Sequence, residues 1–240
     1  VYLPFDREPG RKYPIISNVY PGPHVDLVPQ AFTLDDNYNQ SLAQLGFVVI
    51  NFAYRGSGPW RGRDFHTFGY GNLRDYALAD DMADIERVGI YGHSGGGFMT
   101  VAAMLNHPEF YKVGVAASGN HDNNIYSQWW GETFHGVKQT WGKDGKPHFE
   151  CHIPTNIELA DRLAGRLLLI TGDMDNNVHP ASTARLADAL IRARKRFDMT
   201  VIPGADHGLG NSYYVNLIRY YFTEHLLGLP QQEIDIVKHN

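Results

Sequence analysis

The chain has 240 residues, of which 43% are hydrophobic, enough for one sizeable core in a single domain. Its net charge of −5 comes from interspersed acids and bases, so it offers no basic face for nucleic acid. Cys151 is the only cysteine, which excludes an intrachain disulfide, and no apolar run has the length of a membrane span.

No signal-peptide pattern opens the chain, and its start at Val1 indicates an excised or processed terminus. We expect a soluble protein whose compartment the sequence does not reveal. A signal peptide in a precursor would imply a periplasmic or secreted protein.

Apolar runs and helical patterns alternate along the chain. The predicted strands are Tyr13–Tyr20, Phe47–Tyr54, Val88–Gly92, Lys112–Ala117, Arg166–Gly172 and Met199–Pro203. The predicted helices are Asp35–Leu45, Gly95–Asn106, Pro180–Arg196 and Ser212–Leu227. This alternation predicts an α/β fold, a mostly parallel sheet with helices on both faces. Gly119–Ile157 has no clear period and is interpreted as an excursion on the active-site side or as a surface loop.

The third predicted strand turns sharply into a helix through a glycine-rich motif. The segment from Gly92 to Gly96 has the Gly-x-Ser-x-Gly pattern of a nucleophile elbow, with Ser94 at the bend. In such an elbow a Cβ at either glycine would collide with a neighbouring strand or helix. The motif predicts Ser94 as a nucleophile at the carboxyl edge of the sheet.

A serine nucleophile needs a base, and on this kind of sheet the base follows it in the chain. His207 lies in the loop after the last predicted strand and is the preferred base. His179 is the alternative, although its position at the start of a helix favours a capping role. His93 directly precedes Ser94 and should point away from the serine side chain.

The base in turn needs a carboxylate that fixes its tautomer. Asp175 is preferred, because the pattern Asp-x-x-Val before a helix places its carboxylate in the turn. Asp173 stays an alternative acid. Asp206 is a poor orienter of His207, because adjacent side chains in an extended loop diverge.

The oxyanion of an acyl-transfer intermediate needs two hydrogen-bond donors. The backbone N–H of Gly95 is supplied by the elbow itself. Tyr20, at the end of the first predicted strand, could supply the second donor through its phenol. Alternatively, Tyr20 is only a residue at the rim of the site, before a Pro-Gly turn.

Several segments together resemble the catalytic domain of the prolyl oligopeptidase family of serine peptidases, most closely its dipeptidyl-peptidase branch. They span nearly the whole chain and comprise Asn18–Pro23, Tyr54–Arg63, the elbow at Ser94, Ser118–Tyr126, Gly172–Pro180 and Asp206–Gly208. The resemblance implies an α/β-hydrolase fold and a peptidase that forms an acyl-enzyme on Ser94.

The resemblance also implies a role for each site residue. Ser94, Asp175 and His207 would be the catalytic triad, and Tyr20 and Gly95 the oxyanion hole. A small hydrophobic pocket for the residue before the scissile bond, often Pro or Ala, would be lined by Tyr126 and Val178. Asn177 would bind a substrate carbonyl. Trp129 and Trp130 could add walls to the pocket, although aromatic residues in a loop more often serve local packing.

The chain departs from the family pattern in three places. The family's N-terminal β-propeller has no counterpart in these 240 residues, so dipeptide specificity is not implied. The family's Tyr-Asp before the pocket tyrosine is here Asp122-Asn123. The segment Asp75–Arg87 is short, which predicts either a truncated helix or a break between Ala79 and Glu86.

Two other functions remain open from the sequence. A carboxylesterase or feruloyl-type esterase would use the same triad on a small ester, and a non-catalytic binding module would keep only the fold. No metal-ligand spacing is present, so no cofactor is expected. A homodimer through the C-terminal helix is compatible with its aromatic residues, although core packing explains them equally well.

Overall fold

The structure is a computed structural model that describes residues 1–20, 22, 25–28, 31, 38–51, 53–71, 86–210 and 212–230. The strands in these ranges are β1 (Ile15–Asn18), β2 (Val48–Asn51), β3 (Val88–His93), β4 (Tyr111–Ala117), β5 (Lys138–Trp141), β6 (Pro147–Glu150), β7 (Arg166–Gly172) and β8 (Asp198–Ile202). Within the described chain, six of them form a parallel sheet in the order β2-β1-β3-β4-β7-β8, and β5 pairs with β6 as a separate antiparallel hairpin.

The helices cover both faces of this sheet. They are α1 (Asn39–Gln44), α2 (Arg63–His66), α3 (Gly95–Asn106), α4 (Asn123–Tyr126), α5 (Gln128–Phe134), α6 (Ala181–Arg192) and α7 (Ser212–Leu227), with 3-10 turns at Pro59–Arg61 and Ile157–Arg162. A search of the described helices finds none with the length and apolar character needed to cross a membrane.

Side chains alternate between two buried cores along each central strand. On β7, Leu167 and Leu169 belong to the core that α3 and α6 cover, whereas Leu168 and Ile170 belong to the core that α1 and α7 cover. A strand that is buried on both faces reads as a continuous apolar run, which is why these strands are visible in the sequence. The predicted α/β-hydrolase fold is confirmed.

The C-terminal aromatic residues contribute mainly to this second core. Tyr214, Tyr221 and Phe222 on α7 are buried, and the Phe222 ring packs edge-on against Tyr91 of β3 at 6.1 Å between centroids. Core packing therefore accounts for much of the aromatic pattern of this helix.

Some element boundaries differ from the prediction. The helix predicted to reach Arg196 ends at Arg192, because Arg194 adopts a left-handed backbone (φ 57°) and the N–H of Lys195 closes onto the Leu190 carbonyl at 2.9 Å. The segment Gly119–Ile157 is more ordered than predicted, since it contains α4, α5 and the hairpin.

Two predictions fall outside the described residues. The first is the start of the predicted helix Asp35–Leu45, since the structure describes that element only from residue 38. The second is the truncation or break in Asp75–Arg87, since residues 72–85 are not described.

Candidate active site

Ser94 lies at the sharp turn between β3 and α3. Its backbone has φ 59° and ψ −120°, a conformation that is costly for a residue with a Cβ. Hydrogen bonds on both sides hold it: the Ser94 N–H donates to the Ala117 carbonyl at 2.8 Å, and the Phe98 N–H donates to the Ser94 carbonyl at 3.0 Å. The strained turn thus projects the hydroxyl beyond the sheet edge.

Two glycines allow this turn because backbone passes directly over them. A Cβ at Gly92 would lie 2.5 Å from the Gly96 and Val19 carbonyl oxygens, and a Cβ at Gly96 would meet the Val19 carbonyl even more closely. The steric reason given for both glycines in the elbow motif is therefore confirmed.

Gly96→Ala is expected to destabilise the protein by about 3 kcal/mol, because backbone rather than a movable side chain blocks the new methyl group. Chemical denaturation monitored by circular dichroism measures this loss. Gly210→Ala is the matched control, since a Cβ there meets nothing within 4 Å. Equal stability of the two variants would contradict the steric account.

The imidazole of His207 bridges the serine and a carboxylate. The Nδ1–H donates to Oδ2 of Asp175 at 2.8 Å, and Nε2 lies 2.9 Å from the Ser94 Oγ. With its proton held on Nδ1 by the carboxylate, the ring presents the lone pair of Nε2 to the serine hydroxyl. This arrangement can take the hydroxyl proton as the oxygen attacks.

The Asp175 carboxylate is fixed by backbone as well as by the histidine. Its side chain is fully buried, and Oδ1 accepts hydrogen bonds from the N–H groups of Asn177 at 3.0 Å and Val178 at 2.9 Å. These donors replace the water that a buried charge loses. The turn predicted from Asp-x-x-Val is present.

The competing polar residues have other partners. Asp173 accepts the N–H of Gly204 at 2.6 Å, and Asp206 accepts the N–H of Gly208 at 2.9 Å. His179 accepts the N–H of Ala181 at 3.1 Å and so caps the start of α6. The structure brings Asp175 and His207, and none of these three, to Ser94.

His93 packs against the imidazole ring of His207. The two ring centroids are 4.7 Å apart, and the Nε2–H of His93 donates to the backbone carbonyl of His207 at 2.5 Å. Burial lowers the pKa of His93, although the hydrogen bond to that carbonyl opposes this shift. A neutral His93 thus holds the loop that carries His207.

Tyr20 and Gly95 lie together beside the serine. The Tyr20 ring lies over Gly95, with Cζ 3.6 Å and the phenol oxygen 3.8 Å from the position that a Cβ would take there. Burial raises the pKa of Tyr20 by more than interaction with the Ser94 hydroxyl lowers it, so the phenol keeps its proton as a donor. The Gly95 N–H is at the N-terminus of α3, where the helix dipole favours negative charge.

A cavity of about 320 Å³ opens beside these groups. Its described lining comprises Tyr20, Gly22, His93, Ser94, Gly95, Asn120, Tyr126, Trp130, Asn177 and His207. The hydroxyl of Tyr126 donates to Oδ1 of Asn177 at 2.8 Å, which joins two sides of the cavity. Six of the eight predicted site residues therefore line this cavity, and a seventh, Asp175, lies behind His207.

Val178 is the exception among the predicted pocket residues. Its side chain is buried and is not part of the described lining of the cavity, and its N–H binds Asp175. Of the two tryptophans considered as pocket walls, Trp130 does line the cavity, whereas Trp129 is 68% exposed. No helical spacing could have identified Trp130, because the extended backbone of Ser127 separates its helix α5 from the helix α4 that carries Tyr126.

No cluster of three or more His, Cys, Asp or Glu side chains in the described ranges could hold a metal ion.

His121 lies near the site and is completely buried. Its Nδ1 is 3.2 Å from the Asn156 amide, and burial lowers the pKa of its imidazole to about 3. Because the unfolded chain takes up this proton near pH 6.5, the folded protein loses stability as the pH falls from there towards 3.

His121→Gln is expected to reduce this acid sensitivity by about 1.4 kcal/mol per pH unit between roughly pH 5.5 and 4. Urea denaturation across that range measures the slope of the unfolding free energy against pH in both proteins. A variant slope equal to that of the wild type would contradict the assignment to His121.

Comparisons with known proteins identify relatives of this chain. The chain matches the prolyl oligopeptidase family over residues 33–229. It is 30% identical over 238 residues to dipeptidyl peptidase 8 of Mus musculus and of Homo sapiens, covering 92% of this chain and 26% of each relative. A proposed dipeptidyl aminopeptidase IV from Bacteroides ovatus has a TM-score of 0.80 at 30% identity, covering 93% of this chain and 33% of that one. The superposition on dipeptidyl peptidase 4 of Porphyromonas gingivalis has a TM-score of 0.75 at 27% identity, and it covers 90% of this chain and 31% of that one.

A parallel sheet with a serine elbow at its carboxyl edge defines an α/β-hydrolase. Within that class, the chain belongs to the prolyl oligopeptidase family and is similar to its dipeptidyl-peptidase branch. The names of these relatives are those of peptidases, so they give no support to the esterase alternative. The chain spans about a quarter of the length of the curated relatives it matches.

Proposed function

We propose that this protein is a serine peptidase that cleaves short peptides after a small residue such as Pro or Ala. The observation that carries the proposal is the His207 imidazole, 2.9 Å from the Ser94 hydroxyl and 2.8 Å from the buried Asp175 carboxylate, beside a small cavity. Membership of a peptidase family supports the same reaction. Residues 1–240 are proposed to form one catalytic domain.

The proposed reaction begins with attack of the Ser94 Oγ on the scissile carbonyl carbon while Nε2 of His207 takes the hydroxyl proton. Asp175 stabilises the imidazolium that forms. The imidazolium then protonates the leaving amine, which leaves an acyl group on Ser94. Water then attacks this ester while His207 takes a proton from the water. His207 passes that proton to the Ser94 Oγ as the acid product is released.

The negative oxygen of each tetrahedral intermediate is proposed to accept hydrogen bonds from the Tyr20 phenol and the Gly95 N–H. Both groups lie next to Ser94, and burial keeps the phenol protonated by raising the pKa of Tyr20. Because these donors are in place before charge develops, they need no rearrangement as the intermediate forms.

The cavity is proposed to accept the residue before the scissile bond. The rings of Tyr126 and Trp130, 6.2 Å apart between centroids, give this cavity an apolar side against which a Pro or Ala side chain can pack. Since the Oδ1 of Asn177 accepts from Tyr126, its Nδ2 protons are free to donate to a substrate carbonyl.

Hydrolysis of Ala-Pro and Gly-Pro anilides, compared with p-nitrophenyl esters, tests the proposed substrate class. We expect turnover of the anilides that Ser94→Ala abolishes. Turnover confined to the esters would instead favour the esterase alternative and overturn the peptidase proposal.

A homodimer through α7 also remains a proposal. Tyr214, Tyr221 and Phe222 are committed to the core, which leaves the half-buried Tyr213 and Tyr220 as the aromatic residues of this helix available for a partner. Sedimentation equilibrium of the protein distinguishes a dimer from a monomer.

A further inference from the structure

We propose that the ion pair between Arg185 and Asp122 is a positioning device for the Tyr126 side of the substrate pocket, and that it sets selectivity for the residue before the scissile bond. The proposal rests on the peptidase function above and deepens it. Neither Arg185 nor Asp122 belongs to the described lining of the cavity, so both would act through Tyr126.

Asp122 holds the short helix that carries Tyr126. Its Oδ1 accepts the backbone N–H of Asn124 at 3.1 Å and the Asn124 side-chain amide at 3.0 Å, which caps the first turn of α4. A helix of four residues does not form without such support. The Asn124 side chain is itself tied to the backbone of Ile153 by two hydrogen bonds of 2.8 Å.

Arg185 supplies the charge that the Asp122 carboxylate needs. The Asp122 side chain is only 7% exposed, and the Arg185 Nη2 donates to its Oδ2 at 3.1 Å from a side chain that is 55% exposed. A buried carboxylate that loses its cation is strongly disfavoured, and moving it towards water would relieve that cost. Loss of Arg185 would therefore displace α4 first.

The ion pair joins the two chain segments that border the pocket. Arg185 belongs to α6, which follows directly on the loop that carries Asp175 and Asn177. A second link crosses at the exposed rim, from the Tyr126 hydroxyl to Asn177. Without the ion pair, the hydrogen bond at the rim would be the remaining polar link between Tyr126 and that loop among the described residues.

The catalytic constellation does not depend on this pair. The Asp175 carboxylate is held by His207 and by backbone N–H groups of its own loop. A displaced pocket wall would therefore weaken substrate positioning while leaving the reactivity of Ser94 unchanged. Because a displacement of about 1 Å can cost up to 10²-fold, the effect is measurable in kcat/KM.

The test uses Arg185→Met and Arg185→Lys in the full-length protein, with Arg192→Met as the matched control. Arg192 lies on the same helix in an exposed ion pair with Asp188, at 3.0 Å, and is not part of the described lining of the cavity. Two rates are compared for each variant: inactivation by a fluorophosphonate, which needs only the serine and its base, and hydrolysis of anilides with Pro or Leu before the scissile bond.

For Arg185→Met we expect kcat/KM for the Pro substrate to fall about tenfold or more, mainly through KM, and the preference for Pro over Leu to narrow. Fluorophosphonate inactivation should stay within about twofold of the wild type, since it needs no pocket. Arg185→Lys, which retains a cation, should recover part of the preference, and Arg192→Met should match the wild type.

An unchanged preference for Pro over Leu in Arg185→Met, or a parallel fall of both rates, would overturn the role of the pair. If Arg185→Met does not fold, the double variant Asp122→Asn with Arg185→Met removes the unpaired charge and serves the same test. Wild-type protein that the fluorophosphonate fails to label would overturn the proposed function itself, an outcome independent of Arg185.

Discussion

Asp175→Asn is expected to lower kcat/KM by about 10⁴-fold while leaving the fold intact, as loss of the carboxylate does in other serine-histidine-aspartate triads. Asp175 Oδ2 accepts the Nδ1–H of His207, and Oδ1 accepts two backbone N–H groups. An asparagine that keeps Oδ1 towards the backbone turns its amide N–H groups towards Nδ1. The histidine then carries its proton on Nε2 and no longer accepts from Ser94.

Asp173→Asn is the matched control, two residues away in the same loop. Its carboxylate accepts the Gly204 N–H, and an asparagine oxygen can do the same, so we expect kcat/KM within about threefold of the wild type. Steady-state hydrolysis of an Ala-Pro anilide measures both variants. An inactive Asp173→Asn variant together with an active Asp175→Asn variant would show that Asp173, and not Asp175, is the acid of the triad.

Tyr20→Phe is expected to lower kcat by about 10²–10³-fold with little change in KM, the cost of one oxyanion donor. The phenol lies over Gly95 and beside Ser94, where the negative oxygen of the intermediate would form. Since the pKa of Tyr20 is raised, its proton is retained through neutral and mildly alkaline pH, so the deficit should be constant between roughly pH 7 and 9.

Tyr126→Phe is the informative comparison, because it removes a phenol from the same cavity without removing an oxyanion donor. It loses the hydrogen bond to Asn177, so we expect an increase in KM of a few-fold at an unchanged kcat. A Tyr20→Phe enzyme with wild-type kcat would contradict the oxyanion role of Tyr20.

The sheet was predictable because each central strand is buried on both faces and reads as an unbroken apolar run. Arg166–Gly172 is the clearest case, since its predicted bounds are those of β7. Gly119–Ile157 could not be read in this way. Its helices have four and seven residues and its hairpin strands four each, too short to show a period, and tertiary contacts such as that of Asn124 with Ile153 hold them.

The chain order of nucleophile, acid and base predicted that Ser94 would meet an acid and a histidine from the later strand ends, because strand ends converge at one edge of a parallel sheet. It left Asp173 and His179 as alternatives to Asp175 and His207. The contact of His93 with the His207 carbonyl could not be predicted, since it joins positions 114 residues apart through loop geometry. The ion pair between Arg185 and Asp122, 63 residues apart, was hidden for the same reason.

Mass spectrometry of the intact protein after reaction with a fluorophosphonate, followed by peptide mapping, tests the central claim most directly. If His207 activates Ser94 as the geometry indicates, the wild type gains one adduct, located on Ser94, and Ser94→Ala gains none. A wild type that stays unlabelled, or an adduct on another residue that persists in Ser94→Ala, would contradict the assignment of Ser94 as the nucleophile.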